Sequence, residues 1–163
     1  MNNWLLHDHR RYEDLLSECE RLATDRNWQG AEGRLHDLVA LLKGHFLMEE
    51  IVLFPAYEGL VDTPDSPTQH LRAEHDQIRQ HLTALSRAVR SRDLDSFIAS
   101  FKNLDRVMDI HHEKEEELFL PMAGHALLER RDEVIARLKR IDWRGTMQSW
   151  QGVEPLARPL AEG

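Results

Sequence analysis

Apolar residues recur with the 3.6-residue period of core-facing helices in four successive segments, and no segment keeps a strand-like alternation. The first segment places Leu5, Tyr12, Leu16, Cys19 and Ala23 on one stripe, and the second Leu35, Leu38, Leu42, Val52 and Ala56. The third carries Leu71, Ile78, Leu82, Leu85 and Val89; the fourth carries Phe97, Phe101, Leu104, Met108, Leu118 and Met122. Stripes of this width bury one face of a helix and leave the other in water. Turn signals divide them. TDRN at 24–27 offers Asp25 or Asn27 as an N-cap, Ser66, Pro67 and Gln69 fit the start of a capped helix, and SRD stands at 91–93. Short connections between long amphipathic helices favour antiparallel neighbours. The expected fold is all-α: an antiparallel up-down-up-down four-helix bundle, followed by a short C-terminal helix and an irregular tail. Residues 1–142 are expected to form the bundle with the short fifth helix, whose stripe is Leu127, Leu128, Val134, Ile135 and Leu138. Residues 143–163, punctuated by Gly and Pro and carrying Trp143 and Trp150, are expected to form the tail.

Each stripe is interrupted by polar residues that keep the apolar phase. On the second segment the series 35, 38, 42, 45, 49, 52 passes through His45 and Glu49; on the fourth, 101, 104, 108, 111, 115, 118 passes through His111 and Glu115. His9 and His75 fall inside the first and third stripes. Each HxxxE pair therefore stands one turn apart on the core side of its helix. A carboxylate buried without compensation costs several kcal/mol. No lysine or arginine occupies the central layers of these stripes, so a bound cation is the simplest counter-charge. Imidazole and carboxylate suit iron, zinc or manganese. Helical phase turns His112, with Glu113 and Glu117, onto the solvated face, and sets Glu50 and Glu116 about 100° from the inward glutamates, in outer or surface roles. His36, His70, His81 and His125 read as surface or boundary residues. Tyr12 reads as core, or as a phenol lining an open metal position.

Composition bounds the partners. At 163 residues the chain suits one domain, and a net charge of −8 argues against nucleic acid and anionic membranes. The start, MNNWLLHDHRR, resembles neither a secretory signal nor a membrane span, and the single cysteine, Cys19, rules out an internal disulfide framework. A cytoplasmic location is expected.

The chain also repeats itself. The shift that carries His9 onto His75 also carries His45 onto His111, Glu49 onto Glu115, Glu50 onto Glu116 and Pro55 onto Pro121, and it sets Leu5 and Leu16 on Leu71 and Leu82. Two helical hairpins, each donating His, His and Glu, would face each other across a pseudo-twofold axis. Four histidines and two glutamates exceed one tetrahedral site and fit a two-metal centre whose glutamates span both ions.

The pattern H…HxxxE…H…HxxxE, present here as DHRRYEDLL at 8–16, HFLMEEIVLFP at 45–55, EHDQIRQHL at 74–82 and HHEKEEELFLP at 111–121, resembles the hemerythrin-like family, the HHE cation-binding domain. The resemblance covers roughly residues 1–125. It implies a four-helix bundle around two iron ions joined by an oxo or hydroxo bridge, with zinc or manganese as substitutes. Carried over residue by residue, His9 and His45 would bind one iron, His75 and His111 the other, and Glu49 and Glu115 would bridge them. Respiratory members have a fifth histidine, in an HxxxH pair on the third helix, and an aspartate as last bridging ligand. Here Leu71 and Arg79 flank His75 by one turn and the last carboxylate is Glu115. The resemblance therefore implies a protein that binds or reacts with O2 or a related small oxidant, peroxide or nitric oxide, in sensing, storage or detoxification, rather than a reversible oxygen carrier. Weak oxidase, peroxidase or catalase-like turnover is compatible with it. The alternative is an iron- or redox-dependent interaction module without turnover, acting on a protein partner through the tail.

Overall fold

The structure is a computed structural model that describes residues 4–60 and 67–119; the expected fifth helix and tail lie outside the described residues. Four long helices account for most of it: α1 (Trp4–Thr24), α2 (Trp28–Met48), α4 (Pro67–Ser91) and α5 (Leu94–Phe119). A π-helical turn at Glu49–Leu53 carries α2 into the short α3, Phe54–Leu60. No strand occurs among the described residues. The fold is all-α, a helical bundle in which α1 packs on α2, α4 on α5, α1 on α5 and α2 on α4. No helix of the described residues is long and apolar enough to cross a membrane.

The two hairpin turns are built alike. Arg26 (φ 59°) and Arg92 (φ 53°) both adopt the left-handed conformation. Around them the Asn27 N–H reaches back to the Leu22 carbonyl at 2.8 Å and the Asp93 N–H to the Ala88 carbonyl at 3.1 Å, while the two arginine N–H groups bond to Ala23 and Val89. This Schellman geometry closes each helix. The next residue then opens the following helix, as Asn27 Oδ1 accepts from the Gly30 N–H at 3.0 Å and Asp93 Oδ1 from the Ser96 N–H at 3.2 Å. The shift that relates His9 to His75 also sets Arg26 on Arg92 and Asn27 on Asp93, so the repeat extends through the turns.

The stripes form two apolar clusters. The larger runs from Tyr12, Leu16, Leu38, Leu42, Ile78, Leu82, Leu104 and Met108 toward the hairpin turns. The smaller is Leu5, Leu53, Phe54, Leu71 and Phe119. On the second stripe the buried residues after Glu49 are Leu53 and Phe54, whereas Val52 and Ala56 are only half-buried. The π turn explains this correction: its wider i→i+5 turn rotates everything that follows, so a constant 3.6-residue phase overshoots. Between the two clusters lie the polar residues that interrupt the stripes.

Candidate metal centre

His9 and His75 each sit one helical turn after the apolar Leu5 and Leu71 of the smaller cluster, and Glu49 and Glu115 one turn before Leu53 and Phe119. An apolar layer thus closes one side of the polar residues, and the main core closes the other. All six inward residues are buried: His45, Glu49, His75, His111 and Glu115 have no exposed surface and His9 almost none. Their nitrogen and oxygen atoms converge in two overlapping groups, His9, His45, Glu49 and Glu115, and Glu49, His75, His111 and Glu115. Within each group the atoms lie within 4.8 Å of one another, and the two glutamates belong to both.

The close approaches join the inward imidazoles to the two inward carboxylates. His45 Nε2 stands 2.6 Å from Glu49 Oε1, and His75 Nε2 stands 2.8 Å from Glu49 Oε2; His111 Nε2 meets Glu115. Yet both oxygens of Glu49, Oε1 of Glu115, and Nε2 of His75 and His111 make no hydrogen bond among the described residues. Lone pairs aimed at a common point, in a dry layer where an unsatisfied polar atom costs about 1–3 kcal/mol, fit a cation.

Each of the four inward histidines His9, His45, His75 and His111 uses its other nitrogen in the same way. His9 Nδ1 donates to Glu116 at 2.9 Å, His45 Nδ1 to Asp8 at 3.2 Å, His75 Nδ1 to Glu50 at 2.8 Å and His111 Nδ1 to Glu74 at 2.8 Å. Such carboxylate braces hold the ring orientation, keep the proton on Nδ1 and make Nε2 a stronger donor to a metal. The braces obey the repeat, which sets Asp8 on Glu74 and Glu50 on Glu116. In the second half they are themselves tied to cations: Arg79 reaches Glu50 at 3.3 Å and Asp76 at 2.6 Å, and Lys114 pairs with Glu74.

The electrostatics follow from this crowding. Burial alone would push the imidazoles down, but the carboxylates prevail: Glu115, Glu49 and Glu50 raise His75 to about 10. His45, beside Glu49, and His111, beside Glu115, are raised in the same way against the same burial. Burial would raise Glu115, yet His111, His45 and His75 hold it well below the usual carboxylate range. Protons and cations therefore compete for the same Nε2 atoms.

The structure brings together all six residues singled out in the sequence. Glu50 and Glu116 are half-buried and serve as braces, which excludes a purely surface role. His112 corrects the sequence reading. It is 5% exposed, not solvated, and its ring stacks on His9 with centroids 3.8 Å apart and planes 13° from parallel. The reason is that α1 packs along this flank of α5 and covers it. Burial and the neighbouring His9 hold His112 well below the ordinary histidine range, so it is neutral. Sequence reasoning passed over Asp8 and Glu74, although the internal shift pairs them as two carboxylates, each directly before an inward histidine. Tyr12 is buried and its hydroxyl donates to the Leu41 carbonyl at 3.4 Å. Cys19 is buried in the main core, which pushes its thiol up to about 12 and keeps it unreactive.

No curated protein and no solved structure gives a match to this chain. The family model described as the hemerythrin HHE cation binding domain matches residues 1–123 and again residues 67–146. The second match starts at residue 67, where the internal shift places residue 1, so it follows the repeat. With buried His and Glu donors converging in two groups and the family model spanning most of the sequence, the chain belongs to the hemerythrin HHE cation-binding family.

Proposed function

We propose that this protein is a di-iron member of that family that binds or reacts with O2 or a related small oxidant. In this reading the bundle is antiparallel, up-down-up-down, within a domain of residues 1–142, with 143–163 as a tail and the cytoplasm as its location. His9 and His45 would hold one iron, His75 and His111 the other, with Glu49 and Glu115 shared between them. The reading is carried by one observation: six buried donors, arranged in two groups that share their carboxylates. When bound, a pair of ferrous ions supplies two electrons to a small oxidant. The protein's own contribution is threefold. The Nδ1 braces fix the four imidazoles in direction and leave Nε2 facing the other donors. The shared carboxylates, fully buried, present negative charge to both groups of imidazoles. The layer of Leu5, Leu53, Phe54, Leu71 and Phe119 excludes bulk water from that side.

Metal analysis of anaerobically purified protein, with absorption spectra before and after oxygen, tests the reading. The expected result is about two irons per chain and oxo-bridge charge-transfer bands after oxidation. Stoichiometric zinc with no iron uptake would sink it. Glu115→Ala should lose the metal, whereas exposed Glu117→Ala should keep it; equal losses would show that the ligands are misassigned. If oxidant consumption persists after removal of residues 143–163, the alternative of a tail-operated interaction module loses its basis.

A further inference from the structure

The pseudo-twofold relation between the hairpins is broken at one stacking position. On the second half, Phe46 lies flat on His75, with centroids 3.7 Å apart and planes 7° from parallel. The repeat carries Phe46 onto His112, which lies flat on His9. Both rings are buried and both support a ligand histidine from the side, so a phenyl ring is sufficient for that task. Histidine brings in addition one N–H and one lone pair, and neither ring nitrogen of His112 has a hydrogen-bond partner among the described residues. A buried polar group in that condition costs about 1–3 kcal/mol unless something bonds to it.

The surroundings of the two rings differ in the same sense. Phe46 is closed over by the Arg79 guanidinium, 5.9 Å from the ring centroid and bound to Glu50. The repeat sets Glu13, which is exposed, in the place of Arg79, and His112 has Tyr12 for a neighbour, with ring centroids 5.8 Å apart, where the other half has Ile78. The α2–α4 flank is therefore sealed at this level by a phenyl ring under an ion-paired guanidinium, whereas the α1–α5 flank carries the polar rings of His112 and Tyr12.

We propose that His112 is a specificity-determining residue: it hydrogen-bonds and orients the small ligand taken up on the His9 and His45 side of the centre. The inference rests on the oxidant-binding reading above and deepens it. A molecule with a second polar atom, such as peroxide or a triatomic anion, gains from His112; a monatomic ion such as chloride gains little. Phe46 gives the second half no such preference.

The probe is azide, titrated into the iron-loaded, oxidised full chain and followed by its charge-transfer absorption. His112→Phe, which copies the opposite half, should retain its iron and bind azide roughly tenfold more weakly, the worth of one hydrogen bond. Chloride binding to the same oxidised variant should stay within about threefold of the parent, since a monatomic ion has no outer atom for His112 to bond. Unchanged azide affinity in loaded His112→Phe overturns the inference. So does an equal weakening of chloride, which would mean that the ring merely supports His9. If His112→Phe fails to load, the pair His112→Gln and His112→Met decides: Gln should bind azide more tightly than Met, and equal affinities overturn the inference. A parent protein that takes up no iron defeats the functional reading itself; one that loads iron but shows no azide band defeats only this inference.

Discussion

The two halves of the bundle bring the same donor atoms to the centre and support them differently. Around residues 67–119 the braces Glu50 and Glu74 are tied to Arg79 and Lys114, and the stacking ring is Phe46. Around residues 4–60 the corresponding braces are Glu116 and Asp8, and the stacking ring is His112. The ligand set is thus nearly symmetric while its support is not. Duplicated chemistry has been retained at the donor atoms, where geometry is demanding, and has diverged one layer out, where a side chain can change without displacing an ion.

The largest effect that sharpens this comparison is on the braces. Glu50→Gln and Glu116→Gln each remove one carboxylate behind a histidine, and losses of about 10–100-fold in metal affinity are expected. Glu50→Gln should be the more damaging for stability, because Arg79, only 7% exposed, loses one of the carboxylates that balance it. Metal titration and thermal melting of the metal-free proteins check both. Equal melting temperatures for the two variants would show that Arg79 does not set the halves apart.

A second effect concerns pH. His75 is raised from 6.5 to about 10 in the folded metal-free protein, so its contribution to stability is fully present below 6.5 and is lost as pH rises through about 10. The metal-free protein should therefore melt at progressively lower temperature between those limits. Loading with zinc should abolish the decline and release protons, with uptake becoming tighter as pH rises. His112 runs the other way, being held below 6.5, so it disfavours folding as pH falls through the ordinary histidine range. A melting curve that is flat from pH 6.5 to 10 would show that the carboxylates do not hold His75 charged.

The smallest effect tests where the halves are alike. Arg26 and Arg92 both hold positive φ, which glycine adopts without a Cβ penalty. Arg26→Gly and Arg92→Gly should each stabilise the protein by up to about 1 kcal/mol, and by the same amount. Unequal gains in denaturant unfolding would show that the two turns are under different constraint.

Much of this was legible in the chain because helical phase and a duplicated motif are local properties. His9, His45, Glu49, His75, His111 and Glu115 keep the phase of their apolar neighbours, and this alone marked them as inward. The constant offset between the two motif copies related the hairpins, and the caps at Asn27 and Asp93 are readable from residue type. What lay beyond the sequence depended on which helix covers which flank. His112 is off the stripe of α5 by phase and buried all the same, because burial of a flank is set by the neighbouring helix and not by the helix that carries it. The π turn at Glu49–Leu53 likewise redirected Leu53 and Phe54 inward, a change of pitch that a uniform period cannot register. The pairing of each imidazole with a carboxylate from another helix, distant along the chain, is a matter of packing alone. Spacing along one helix was enough to mark the four long helices, the main apolar stripe of each and the donor types that interrupt it. Only the tertiary structure decided the braces, the stacked rings and the difference between the two flanks, since these are contacts between helices.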